Sequence, residues 1–134
     1  MTNRKSGADF ERSFAEMVAS RGAWAHLMRQ DSSGQPADVI VVYHGMPILV
    51  DCKVCESDRF EFRRMEPNQR DAMDHWLALG NPATFFALRD SGGNVWMLNY
   101  SWAKAFEEAG NGSIKCEARS PYVLSFEEWM EWLT

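Results

Sequence analysis

Three charged residues sit where charge is costly. Asp38, Asp51 and Lys53 lie within or beside two apolar runs, Asp38–Tyr43 and Pro47–Lys53. Buried strands do not hold ionised side chains without compensation. Strand side chains alternate between faces, so Asp51 and Lys53 share one. His44-Gly45-Met46, between the runs, reads as a tight turn. A hairpin loop of two or three residues pairs positions whose numbers sum to roughly 89–91. Asp38 then lies opposite Asp51 or Lys53, with Cβ atoms about 5 Å apart on one face. The spacing predicts two carboxylates and one ammonium gathered at one end of a buried hairpin.

Two carboxylates at that separation repel unless a proton or a cation lies between them. Hard oxygen ligands with room for water suit Mg²⁺ or Mn²⁺. Such a metal lowers the pKa of a bound water and polarises a phosphoryl oxygen. A lysine two residues on can orient the water or steady charge developing on phosphate. The same residues also fit a buried salt-bridge network, Asp51 with Lys53 and Asp38 capping a turn. The residues alone leave both readings open.

Around this hairpin the chain reads as mixed α/β. Phe10, Phe14, Met17 and Val18 recur at helical spacing, which predicts a helix from about Ala8 to Ser20, ending near Gly22. Trp24–Met28 reads as a short strand, Gln30–Pro36 as a loop and Cys55–Glu66 as a charged loop. Pro67 opens a helix to Leu79. Ala83–Leu88 and Asn94–Asn99 form a second hairpin across Asp90-Ser91-Gly92-Gly93. Ser101 caps a helix to Ala109, and Val123-Leu124 is a short strand. Ser125 and Glu128 make a capping box for a last helix, whose Phe126, Trp129, Met130 and Leu133 share one side. That side closes the core or forms a dimer contact. The fold class is α/β, one domain over 1–134, with a buried hairpin in a central mixed sheet flanked by helices.

Composition narrows the function. The chain has 134 residues, 46% hydrophobic and 25% charged, a globular composition. Its net charge is −5, which argues against a passive nucleic-acid coat. An enzyme that meets acidic substrate through a divalent metal is compatible with it. No apolar run approaches the roughly 20 residues a membrane helix needs, and Met1 to Ser13 shows no leader pattern; a cytoplasmic protein is expected. Cys52 and Cys55 form a C-x-x-C pair, but no partner pair completes a zinc site, so buried reduced thiols are expected. His26, His44 and His75 lack metal-ligand spacing. Trp96, Trp102, Trp129 and Trp132 read as core rather than stacking platforms. No P-loop, G-x-G-x-x-G or G-x-S-x-G occurs, so a nucleotide cofactor is not expected.

Pro36-Ala37-Asp38, a gap of 12 residues, and Asp51-Cys52-Lys53 together resemble the signature of the PD-(D/E)XK nucleases. Gly7-Ala8-Asp9-Phe10-Glu11 resembles that superfamily's upstream G-x-x-F-E element, and Gln69 the glutamine that many members carry after the lysine. Ser32 to Ile40 is similar to archaeal-type Holliday junction resolvases. The spacing of Asp51-Cys52-Lys53, Phe60, Phe62 and Gln69 also resembles the RecU resolvases. The resemblance covers roughly residues 7–90 and implies a restriction-endonuclease-like αβββαβ core. It departs in three ways: Asp51 stands where glutamate is commoner, the hairpin turn is too short for a RecU stalk, and the chain is acidic.

The resemblance implies roles. Asp38, Asp51 and the main-chain carbonyl of Cys52 would ligate Mg²⁺ or Mn²⁺, with Glu11 directly or through water. Lys53 would position or activate the attacking water, and Gln69 would orient the phosphate or the lysine. Ser32 or Ser33 would lie near the cleaved strand. Arg59, Arg63 and Arg64, with Arg70 nearby, are candidate phosphate contacts interleaved with Phe60 and Phe62, and Arg4 and Lys5 form a candidate DNA-touching arm. The implied activity is hydrolysis of DNA phosphodiesters, on branched DNA for a resolvase, by a homodimer. Alternatives are a restriction-like or phage end-processing nuclease, or a non-catalytic binding module on the same fold. The small size suits a phage or mobile-element product.

Overall fold

The computed structural model describes residues 3–29, 37–119 and 121–134, with side chains from Ser6 onward. Arg4 and Lys5 therefore appear only as helical backbone, and Ser32 and Ser33 lie outside the described residues.

The order is α1 (Asn3–Ser20), β1 (Trp24–Leu27), β2 (Val39–Tyr43), β3 (Met46–Val54), β4 (Arg59–Glu61), a 3-10 turn (Phe62–Arg64), α2 (Pro67–Ala78), β5 (Ala83–Arg89), β6 (Val95–Asn99), α3 (Tyr100–Glu108), β7 (Ser113–Lys115), β8 (Val123–Ser125) and α4 (Phe126–Leu133). Six strands form one sheet in the order β1-β2-β3-β5-β6-β8, and β4 pairs with β7 in a second, two-stranded sheet. Among the described strands only β3 and β5 pair in parallel, joined by the crossover that carries α2. The main sheet is thus mixed, as the sequence predicts.

The β2–β3 hairpin turns on His44 and Gly45, at φ 49° and 75°. Two successive positive φ values make a two-residue turn whose twist matches the strands. It sets Tyr43 opposite Met46 and Val39 opposite Val50. Extending that register brings Asp38 level with Asp51. The same strands have cores on both sides. Phe10, Phe14 and Val18 of α1 and Trp129 and Leu133 of α4 pack on Val39, Val41, Ile48 and Val50. Met73 of α2 and Ala103 of α3 join Leu49, Phe86 and Leu98 in the second core.

Three local expectations change. α1 begins at Asn3 rather than near Ala8; Gly7 costs about 1 kcal/mol relative to alanine inside a helix, too little to stop one. α3 is capped by Asn99, whose side chain accepts from the Trp102 amide at 3.1 Å, and not by Ser101. Cys55–Glu66 is not all loop: Arg59-Phe60-Glu61 is strand, with Phe60 buried between two exposed charges. The Ser125–Glu128 capping box forms as expected. Among the described residues, no helix is long and apolar enough to cross a membrane.

Candidate active site

The hairpin brings the predicted trio together. Asp38 precedes β2, and its Oδ2 accepts a hydrogen bond from the Cys52 amide at 2.7 Å. Its own amide donates to the Val50 carbonyl, and its carbonyl accepts from Met28. The side chain is thereby pinned against β3, one residue from both Asp51 and Lys53. Asp51 is 2% exposed and Asp38 6%. Lys53 Nζ stands 3.4 Å from Asp51 Oδ2, an ion pair at the mouth of the buried site. Oδ2 is fully buried, and apart from this ion pair it has no well-formed hydrogen bond.

Burial pushes the Asp51 carboxyl well above its ordinary range, and the negative charge of Asp38 pushes it further; Lys53 pulls the other way. Desolvation and like charge outweigh the one cation nearby. The Cys52 thiol is likewise raised, first by burial and then by Asp38, Asp51 and Glu11. That thiol belongs to the α1-side core and serves packing. Beyond the trio a cavity of about 960 Å³ opens, lined by Gly7 and Glu11 of α1, Cys52 and Lys53 of β3, and Arg64 and Glu66. Glu11 thus faces the same space as Lys53.

The donor chemistry fits a hard divalent cation. Asp38 and Asp51 supply carboxylate oxygens, and the orphaned Asp51 Oδ2 is a buried acceptor without a donor. Among the described residues, no three His, Cys, Asp or Glu side chains stand together as a ready ligand set. The protein side is a carboxylate pair, with Glu11 across the cavity.

No family model matches the chain, and no curated protein matches it. Among solved structures it is similar to Hjc of Archaeoglobus fulgidus, described as a Holliday junction resolvase from an archaeal hyperthermophile. The TM-score is 0.65 at 14% identity, over 94% of this chain and 96% of that one. The two chains share a fold. This bears out the fold class and the structural side of the resemblance.

The remaining candidates divide. Arg64 lines the cavity; one of its terminal nitrogens donates to the Val54 carbonyl at 2.9 Å, and its guanidinium lies 5.8 Å over Phe60. Arg59 donates to Ser113 Oγ at 3.0 Å and Arg63 pairs with Glu61 at 2.7 Å, both on the surface. Gln69 is at the start of α2, where its Oε1 accepts from the Glu66 amide as half of a capping box. Arg70 is engaged within the protein. Its guanidinium holds both carboxylate oxygens of Glu107, at 2.6 and 2.9 Å, and donates to the carbonyls of Met65 and Phe62. Those bonds occupy the planar fork that a phosphate would need. Sequence reasoning missed Ser6, Glu56 and Glu66 on the cavity wall. No local signal marks them, because only the packing of α1 over β3 brings them together.

Proposed function

We propose that the chain is a metal-dependent DNA endonuclease and that it resolves branched DNA as a Holliday junction resolvase. The observation that carries the reading is the fully buried Asp51 Oδ2, without a hydrogen-bond donor, beside Asp38 and Lys53. Such an oxygen is stabilised by a cation.

Asp38, Asp51 and the Cys52 carbonyl would hold Mg²⁺ or Mn²⁺, with Glu11 directly or through water. Bound there, the ion supplies Lewis acidity and an acidified water. Lys53 Nζ, tethered beside Asp51 and open to the cavity, orients the attacking water and offsets charge growing on the phosphate oxygens. Water oxygen bonds to phosphorus as the bond to the 3′ oxygen breaks, leaving 5′-phosphate and 3′-hydroxyl ends. Arg64 receives a phosphate at the cavity wall, Arg59 and Arg63 meet the backbone outside it, and Gln69, given to orienting the phosphate or the lysine by the resemblance, would have to leave its α2 capping bond to do so. Residues 1–134 act as one nuclease domain, and a homodimer would present one site to each of two strands.

The net charge of −5 favours a second reading, the same chemistry on DNA other than a four-way junction. One experiment decides. A labelled junction, matched duplex and single strand are incubated with Mg²⁺, Mn²⁺ or EDTA, beside Lys53→Ala. Paired nicks in the junction alone, absent in EDTA and in the variant, are expected. Cutting of duplex or single strand instead removes the junction and keeps the nuclease. No metal-dependent cleavage of any substrate overturns both and leaves a binding module.

A further inference from the structure

The acidic charge of the chain is unevenly placed. No Asp or Glu occurs in 17–30 or in 39–50, although the chain holds 19 acids. These stretches build β1, β2 and the start of β3, one edge of the main sheet. The bases there are Arg21, His26, Arg29 and His44. Arg21 is engaged with Glu127 of α4, whereas Arg29 is exposed just beyond β1. This edge suits a polyanion better than the composition of the whole chain suggests.

The same edge exposes aromatic surface. Trp24 is 57% exposed, an unusual position for the largest apolar side chain. His26, also exposed, stacks on it at 5.7 Å with an interplanar angle of 6°. The register runs from Trp24 to Val42 to Pro47, and from His26 to Ile40 to Leu49. By strand alternation Trp24 and His26 therefore share a sheet face with Leu49, Asp51 and Lys53. Two strand spacings across, with two residues along for His26 and four for Trp24, place them about 12 and about 16 Å from Asp51. Those distances are a few nucleotides of one strand, at about 3.4 Å each.

We propose that Trp24, backed by His26, is a nucleobase-stacking subsite on the β1 edge, which takes an unpaired base of the DNA strand flanking the cut while its phosphates pass Arg29. A paired base hides its faces within the duplex, so the platform selects DNA splayed at a branch or fork. The inference rests on the nuclease reading above and names the substrate feature that reading lacks.

The test uses the full chain with Lys53→Ala, which keeps the DNA uncut, and a forked DNA carrying 2-aminopurine at its first unpaired position. Binding quenches the 2-aminopurine. Adding Trp24→Ala abolishes the quench and weakens binding of the fork about tenfold, the scale of one lost stacked base, with blunt duplex unaffected. Trp24→Phe restores both. Circular dichroism confirms that each variant is folded. Equal fork affinity and quench in Trp24→Ala overturn the subsite; cleavage by the wild type in the same preparation then leaves the nuclease reading standing. An unchanged fork affinity with loss of a dimer on size exclusion assigns the edge to a second copy and also overturns it. A stacking-dependent quench without cleavage of any DNA supports the subsite and overturns the nuclease.

Discussion

Asp51 lies within two opposing demands. Its burial and the neighbouring Asp38 disfavour its charge, and Lys53 alone supports it. An asparagine has the same shape without the charge. In EDTA, Asp51→Asn is therefore expected to melt at the same temperature as the wild type or higher, because a buried charge with poor compensation is removed. Mg²⁺ or Mn²⁺ should raise the melting temperature of the wild type by binding only the folded state. That gain should vanish in the variant. A wild type that gains nothing from either ion, in calorimetric scans with and without chelator, would remove the metal from the reading of this site. The trio was legible in the sequence because turn length and strand alternation are local rules. The orphaned oxygen was not, because hydrogen-bond alignment depends on where the lysine side chain settles.

The hairpin is the element that turns three separated residues into a site. Gly45, at φ 75°, is the turn residue that cannot accept a side chain without strain. Nothing lies within 4 Å of a Cβ added there, so Gly45→Ala should cost only backbone strain, about 1–2 kcal/mol in chemical denaturation. A second clasp joins α2 to α3, where Arg70 holds Glu107 with two hydrogen bonds. The bond from Arg70 keeps the Glu107 carboxyl below its ordinary 4.5. A depressed folded value means that the stabilisation is present above the ordinary pKa and is lost as pH falls through the folded one. Glu107→Gln should thus be less stable than the wild type at pH 7, by at most about 1 kcal/mol for a partly exposed pair. The gap should close in urea melts taken progressively below pH 4.5. The sequence does not reveal the Arg70–Glu107 pair, because the two residues are distant along the chain and no spacing rule links them. The β4–β7 pair was hidden for the same reason: the alternation of Arg59-Phe60-Glu61 is visible, but Ser113-Ile114-Lys115, its partner, lies beyond two helices.

At the scale of the whole molecule, an acidic chain that acts on DNA must keep its carboxylates away from the backbone it binds. The β1 edge meets that requirement better than the cavity does, where Glu56 and Glu66 line the wall, and Glu127 reaches the edge only at Arg21. Glu127, Glu128 and Glu131 lie on α4, Glu107 and Glu108 at the end of α3, and Asp71 and Asp74 on α2, while β1 and β2 carry none. The net charge read from composition pointed away from a junction substrate because a sum over the chain contains no positions. A pair of substitutions separates the two descriptions. Arg29→Gln and Lys104→Gln change net charge equally, but Arg29 follows β1 and Lys104 sits on α3, paired with Asp74 at 3.1 Å. If the sheet edge meets phosphate, Arg29→Gln lowers DNA affinity and reduces the slope of log affinity against log salt by about one. Lys104→Gln leaves both where they were. Equal losses in the two variants, measured by titrating DNA at several salt concentrations, would mean that only net charge matters, and the acid-free edge would have no special part in binding.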